Sequence, residues 1–522
     1  MDRRTFLTGT ATALASAATL GVLAGCSPKG ATADSDGNEA KTADAAEQSI
    51  NVDEEIDTDI VVVGGGISGL SAAVRAAELG ARVTLMEIKN SLGGNGSGTE
   101  GIFAVGSRRQ KEQGIDVTLA EIVSGEQDFF KYKVDALLWK DLVENSADMV
   151  EWLESQNVEF AEEVNEYPPL GKKKVYHWFK ENATSSYIKP MSQRVTDLGV
   201  KTLLETRAFK LSMDGETVTG VYGRGKGDKV VKVNAKAVIL ASGGFIDNPD
   251  RLRNAGMEPD QVFTEGFGDH VGDGLVMAIE AGAKDKSDTC AFLREATVQY
   301  QGSSCAYPLS IFFFNEGSLL WVNGDGERFA NENCLSVTTG CMSNAISNQK
   351  NPYGIFTQSM IEDFKLMLDG VSTSALEECL EMVERNDGSM FVADTIEDLA
   401  QQTGLPVDAL ASTLERYNGF CEAGADEDFA KDADKLVKLE PPFYAGKFKY
   451  CVMASIGGIA TNRKAEAVKA DGSSIPGLYA VGLDGCELYY GTYTISVPGS
   501  CNSNNVYSGK NAAQNAVDYL KR

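Results

Sequence analysis

The feature that most constrains the fold lies at residues 59–69, where the β-branched run Asp59-Ile60-Val61-Val62-Val63 leads straight into Gly64-Gly65-Gly66-Ile67-Ser68-Gly69. An uninterrupted apolar run of this length reads as a strand buried on both faces, the habit of parallel sheets covered by helices. Residues 70–79 carry a helical pattern stopped by Gly80, and Ala81-Arg82-Val83-Thr84-Leu85-Met86-Glu87 reads as a second strand closing on an acid. Strand, GxGxxG turn, helix, strand and acid in register make the βαβ unit of a dinucleotide site. In such a unit Gly64 makes the tight turn, Gly66 lets the backbone approach a pyrophosphate and Gly69 lets the helix pack on the strand. Glu87 then accepts the adenosine ribose hydroxyls.

Five later segments choose between FAD and NAD. They are Leu92-Gly93-Gly94-Asn95, Ala237-Val238-Ile239-Leu240-Ala241-Ser242-Gly243-Gly244-Phe245, Gly272-Asp273-Gly274, Ile475-Pro476-Gly477-Leu478-Tyr479-Ala480-Val481-Gly482, and Pro498-Gly499-Ser500 leading to Ser508-Gly509-Lys510-Asn511-Ala512-Ala513. From about residue 58 to the C-terminus the chain resembles the fumarate reductase/succinate dehydrogenase flavoprotein family, whose elements occur in this order. The resemblance implies an α/β fold in which a Rossmann-like FAD-binding domain, residues 56–286 and 448–522, is interrupted by an α+β capping domain at 287–447. It also implies FAD held non-covalently by Gly64, Gly66, Ser68, Gly69, Glu87, Gly93, Gly94, Asn95, Gly243, Asp273, Asp484 and Ser500, with no metal.

The cap segment Leu320-Trp321-Val322-Asn323-Gly324-Asp325-Gly326-Glu327-Arg328-Phe329-Ala330-Asn331-Glu332 resembles the family's "VNxxGxRFxNE" stretch, but the catalytic cations that follow from the resemblance are missing. Ser336 stands where fumarate reductases carry the proton-donating arginine, Ala454 where they carry a substrate histidine, and Phe312 and Asn315 near their relay Glu and Arg. No arginine occurs between Arg463 and Arg522. A dicarboxylate needs charge-assisted donors in a dry site, so fumarate and succinate are not expected substrates. Aromatic residues take the cations' place: Phe312, Phe313 and Phe314 in the cap, and Tyr489, Tyr490 and Tyr493 before the last flavin loop. Tyr493 is the expected proton donor, or else a substrate wall, with Tyr490 and Ser336 as further candidate catalytic positions. His270, beside the Gly-Asp-Gly element, is a flavin neighbour or a structural histidine; His177 has less support, and Cys334 lacks any sign of activation.

Charge and cysteine usage narrow the partners. A formal net charge of -27 with no basic stripe excludes nucleic acid. Ten cysteines include no CxxC pair and no CxxCH haem motif, so the electron donor is a separate protein, expected to be a membrane quinol-oxidising cytochrome. Most cysteines read as buried thiols, and disulfides cannot be paired from spacing. Arg3-Arg4-Thr5-Phe6-Leu7 and the small-residue run at 11–24 read as a twin-arginine signal, and Leu23-Ala24-Gly25-Cys26 as a lipobox ending the 1–26 segment. Residues 27–55 read as a flexible acidic tether, which places the protein on the extracytoplasmic face of the membrane, anchored through lipidated Cys26.

The leading expectation is thus an exported FAD-dependent reductase of a conjugated carbon–carbon double bond in a neutral or aromatic enoate or enone, used as a respiratory acceptor. The alternatives are a dehydrogenase resembling the 3-ketosteroid dehydrogenases, against which Val497 stands where those carry a tyrosine, and a non-catalytic solute-binding lipoprotein.

Overall fold

The computed structural model describes residues 50–522 apart from 168–170, 267, 299–307, 316, 334–338 and 369–370. The signal, the lipobox with Cys26, Cys334 and Ser336 lie outside the described residues.

The βαβ unit forms as its sequence dictates. Strand β1 (Ile60–Val63) is fully buried, helix α1 (Ile67–Glu78) follows the glycine turn, and β2 (Val83–Met86) lies parallel to β1. Strands β3 (Lys201–Leu203), β4 (Ala237–Leu240), β5 (Glu466–Val468) and β6 (Ser474–Ala480) complete a six-stranded sheet in the order β5-β6-β4-β1-β2-β3. Every pair is parallel except β5 with β6. The last helix, α2 (Ser500–Tyr519), packs on α1 so closely that a Cβ at Gly509 would stand 2.4 Å from the Ser68 carbonyl. Sequence residues more than 400 apart therefore share one wall of the sheet, and the carboxyl ends of β1, β4 and β6 converge where such sheets bind ligands.

Two departures concern the expected boundaries. The tether was expected to reach residue 55, but Asp53 already exchanges hydrogen bonds with Val230, and Glu54–Asp57 pairs in parallel with Val230–Asn234. That edge would otherwise expose unpaired backbone, and Ile56 is buried against it. The junctions at 287 and 447 fall within a three-stranded sheet in which Ala291–Thr297 pairs with Lys449–Ile456, itself paired with Val262–Thr264. Cap and flavin domain are therefore joined by backbone pairing as well as by two covalent crossings.

The cap's own core explains two sequence signals. Phe312 and Phe313 are buried among Phe356, Phe364, Phe448 and Trp321, so of the two readings open to these rings, pocket lining or core, they are core. Arg328 and Glu332 of the family-like segment form a buried ionic knot: Arg328 binds Glu332 and Asp426 at 2.8 Å each, and Lys431 reaches Glu332 at 3.2 Å. This knot fastens the loop around Asp426 and Lys431 to the strand Leu320–Val322, since Trp321 N–H also donates to Glu332. Among the described cysteines, Cys290, Cys341, Cys379, Cys421, Cys486 and Cys501 carry free thiols.

Candidate active site

The nucleotide end is built from backbone. Gly64 has φ +103°, and an added Cβ there would lie 2.2 Å from the Ala241 carbonyl. At Gly69 it would lie 1.8 Å from the Gly64 carbonyl, so turn, helix and β4 can meet only without side chains. At Gly66, by contrast, the nearest atom is the Gly93 carbonyl at 3.9 Å, and at Gly94 it is the Gly66 Cα at 3.9 Å. These two glycines face open space across the uncapped start of α1. Unmet N–H groups and the helix dipole make such a start an anion cradle.

Glu87 is buried, accepting from Gly65 N–H at 2.7 Å and Lys89 N–H at 2.8 Å. Burial pushes its carboxyl above the usual glutamate range, opposed by those two N–H groups. Each oxygen keeps a lone pair for a hydroxyl. Buried polar atoms without partners border the same region: Asn95 Oδ1, one residue past Gly94, and Asn505 Oδ1, 3.4 Å from where a Cβ on Gly482 would stand. Orphaned acceptors beside the N–H donors of an uncapped helix start, with an acid at the strand end, are the polar set that a dinucleotide such as FAD completes.

Other expected contacts act indirectly. Asp484 is fully desolvated and accepts from Ser242 N–H, Ser242 Oγ and Gly244 N–H, which locks the Ser242-Gly243-Gly244 turn after β4. Ser242 in turn receives Gly274 N–H. Ser68 packs beneath Gly482, whose Cβ would stand 2.4 Å from its Oγ. Both carboxylate oxygens of Asp273 are held by Arg207 at 2.7 Å, which fixes the acid at the start of its helix. The strand Arg207–Asp214 passes there and supplies the arginine, which local sequence could not reveal. His270 lies against Gly243, close to Asp269, which pairs with Lys89 beside Glu87. It therefore stands at the ribose end, in a cluster with Asp247 and Asp269 whose liganding atoms lie within 4.8 Å of one another. His177 is a core histidine bonded to Ser107 Oγ at 2.8 Å, and burial lowers its pKa to about 4.

The other end of the cleft is walled by tyrosines. Gly499, left-handed at φ +79°, caps α2, and a Cβ there would stand 2.7 Å from the Tyr176 ring. Tyr176 meets Trp178 at 4.7 Å and Tyr167 at 5.1 Å, all on a sheet of Gly101–Phe103, Phe160–Tyr167 and Gly171–Phe179. From the opposite side, Tyr489 bonds Ser500 Oγ at 2.8 Å and meets Tyr493 edge-on at 5.1 Å. Tyr493 is buried with its phenol pushed up by burial, then by Cys501, Cys486 and Glu126. Tyr490, the other candidate on this loop, is 38% exposed and lies under the Lys133 ammonium at 4.7 Å.

Charged groups that sequence reading passed over stand behind this wall. Glu126 accepts from Ser496 Oγ, which lies 2.8 Å from Thr494 Oγ1, and burial raises its pKa to about 7. Glu295 is buried with Oε2 unpartnered and is likewise raised to about 7, by burial and then by Glu265. The expectation that the pocket lacks any cation also needs correcting, since Arg294 is largely buried, bonding Asn344 Oδ1 at 2.9 Å, and Asn344 bonds Thr492 beside Tyr493. Its guanidinium donates to Asn344 and lies 5.7 Å from the centre of the Tyr450 ring.

Raised carboxyls make stability depend on pH with a definite sign. Folded Glu126 and Glu295 keep protons that the unfolded chain releases above the ordinary glutamate range, so stability falls as pH rises toward and through about 7. From about pH 5 to about pH 8 each group is expected to remove on the order of 2 kcal/mol. Urea unfolding of the FAD-free chain should show a drop smaller by on the order of 2 kcal/mol in Glu126→Gln, the His177 contribution cancelling in this difference. An equal drop in wild type and variant would mean that Glu126 is ionised in the fold.

Comparison with known proteins agrees with this geometry. Residues 59–496 match the FAD binding domain family model. The vinyl phenol reductase of Lactiplantibacillus plantarum is 32% identical over 485 residues, covering 88% of this chain and 96% of that protein. The open conformation of a flavocytochrome c3 fumarate reductase superposes with a TM-score of 0.66 at 25% identity, over 93% of this chain and 82% of that one. The 3-ketosteroid-Δ4-(5α)-dehydrogenase of Rhodococcus jostii RHA1, with a TM-score of 0.67 at 22% identity over 90% and 98% of the two chains, shares the fold. The chain belongs to the FAD binding domain family and is an FAD-dependent oxidoreductase related to the fumarate reductase flavoproteins.

Proposed function

We propose that this enzyme reduces a conjugated carbon–carbon double bond carried by a neutral or aromatic molecule, with a phenolic alkene as the best-fitting class. The observation that carries the reading is the wall of Tyr167, Tyr176, Tyr489 and Tyr493 around the start of α2, where a carboxylate-binding site would need free guanidinium groups. The vinyl phenol reductase, alike over nearly its whole length, supports it. FAD, when bound, supplies the hydride for the β-carbon. Tyr493 holds the proton for the α-carbon at its phenol oxygen, the rings exclude water, and the turn locked by Asp484 orients the cofactor's side of the cleft. Arg3-Arg4, the Cys26 lipobox and the absence of a haem motif support export by the twin-arginine route, lipid anchoring, and electrons from a separate membrane quinol-oxidising cytochrome in a respiratory role.

Viologen-reduced holoenzyme mixed anaerobically with 4-vinylphenol, cinnamates, urocanate, steroid enones or fumarate tests the reading by the rate of flavin reoxidation. Neutral or phenolic alkenes should reoxidise it at least about 100-fold faster than fumarate, because one buried arginine cannot hold both carboxylates of a dicarboxylate. Fast reoxidation by fumarate would sink the substrate class. Reduction of oxidised flavin by a saturated steroid, with no alkene active, would establish the dehydrogenase direction instead.

A further inference from the structure

Glu295 is the least explained charge in the molecule. It lies on the strand Ala291–Thr297, is 9% exposed, and leaves Oε2 without a partner. Arg294, its chain neighbour, is turned toward Asn344 and Tyr450 and does not neutralise it. Glu265 adds negative charge. A buried acid in this condition costs stability unless something completes it.

What it faces is the tyrosine wall. Glu295 lies within electrostatic reach of Tyr167, whose phenol is pushed up first by burial and then by Glu100, Glu295 and Tyr493. Tyr167 donates its own hydroxyl to Glu100 at 2.6 Å, so it is not the missing partner. The carboxyl therefore lies near Tyr167, whose ring packs on Tyr176 at 5.1 Å, with one buried acceptor unmet among the described residues and Glu265 disfavouring an anion.

We propose that Glu295 binds the ring hydroxyl of a phenolic substrate and thereby sets the enzyme's preference for a hydroxylated ring over an unsubstituted or carboxylated one. This rests on the reading of the site as an alkene reductase and adds the residue that chooses the substrate. A carboxyl poised near neutrality suits this partner, since it accepts from a phenol when ionised and donates to it when protonated. A ring without the hydroxyl leaves the buried acid unpaired, which is the strongest form of discrimination available to a binding site.

The test compares 4-vinylphenol with styrene in wild-type holoenzyme, Glu295→Gln and Glu295→Ala. Wild type should favour 4-vinylphenol in kcat/KM by about 100-fold or more. Glu295→Ala should cut that ratio at least about 10-fold, while Glu295→Gln, whose amide oxygen still accepts, should keep most of it. Titration with 4-ethylphenol, followed in the oxidised flavin spectrum, reads binding without turnover and should weaken at least about 10-fold in Glu295→Ala, with ethylbenzene unaffected. If Glu295→Ala does not fold, Glu295→Asp, which withdraws the carboxyl by one methylene, should show the same loss. Unchanged ratio and 4-ethylphenol affinity in a variant of an active enzyme overturn the role of Glu295 and leave the proposed reaction standing. Wild type that binds 4-ethylphenol no better than ethylbenzene yet reduces other alkenes overturns the role as well. Wild type that neither reduces any alkene nor binds 4-ethylphenol overturns both readings.

Discussion

Gly64→Ala is expected to yield a chain that retains no FAD and unfolds at much lower urea than wild type. The new methyl would stand 2.2 Å from the Ala241 carbonyl, on a residue whose φ is +103°. Backbone strain and overpacking each cost roughly 1–3 kcal/mol, and here they act together on the seam between β1 and β4. Gly66→Ala separates the fold from the cofactor. Its φ of -75° suits alanine, and the closest protein atom to the new methyl is the Gly93 carbonyl at 3.9 Å. The FAD-free variant should therefore unfold within about 0.5 kcal/mol of wild type. The methyl does enter the space over the start of α1, and a crowding cost of roughly 1–3 kcal/mol corresponds to FAD binding about 5- to 150-fold weaker. Flavin fluorescence titration and urea unfolding measure the two quantities independently. If Gly66→Ala bound FAD like wild type, the pyrophosphate would not lie over this turn.

How much of this site the sequence disclosed depends on how local each part is. Gly64, Gly66, Gly69 and Glu87 sit in one contiguous unit whose spacing is fixed by the geometry of a strand, a turn and a helix, so pattern alone placed them. The ion pair that holds Asp273 was not legible, because its partner Arg207 comes from a separate strand and a motif says nothing about long-range partners. Phe312 and Phe313 could not be decided from sequence, because an aromatic run looks the same whether it lines a pocket or packs against Phe356 and Phe448, as it does here. The substrate wall was half missed for a topological reason. Tyr167 and Tyr176 belong to a sheet inserted between β2 and β3, far in sequence from Tyr493, and only folding brings them to Gly499. The alternation of Tyr176 and Trp178 about the buried His177 was a readable sign of a two-faced strand, though not of which face met the cleft. Glu126 and Glu295 carried no sequence signal, since what distinguishes them from other glutamates is burial without a cation.

Tyr493→Phe is expected to slow reoxidation of the reduced enzyme by its alkene about 10²- to 10⁴-fold, the usual contribution of a positioned general acid. The ring alone should suffice for the wall, because Tyr493 packs edge-on against Tyr489 and its hydroxyl has no hydrogen bond among the described residues; the loop is fastened by Thr494 and Ser496 with Glu126, and by Thr492 with Asn344. FAD content, urea unfolding and the rate of flavin reduction by a viologen should accordingly stay near wild type. Burial holds the phenol well above its ordinary pKa, so it keeps its proton throughout the neutral range and the wild-type step should show little loss of rate toward mildly alkaline pH. Tyr490→Phe is the matched control, since that ring faces Lys133 and solvent, and its rate should stay within about twofold of wild type. A solvent isotope effect present in wild type and altered in Tyr493→Phe would place the proton on this phenol. Full activity in Tyr493→Phe would assign the proton to another route, and the Glu126, Ser496 and Thr494 chain on the same loop is where variants should then be made.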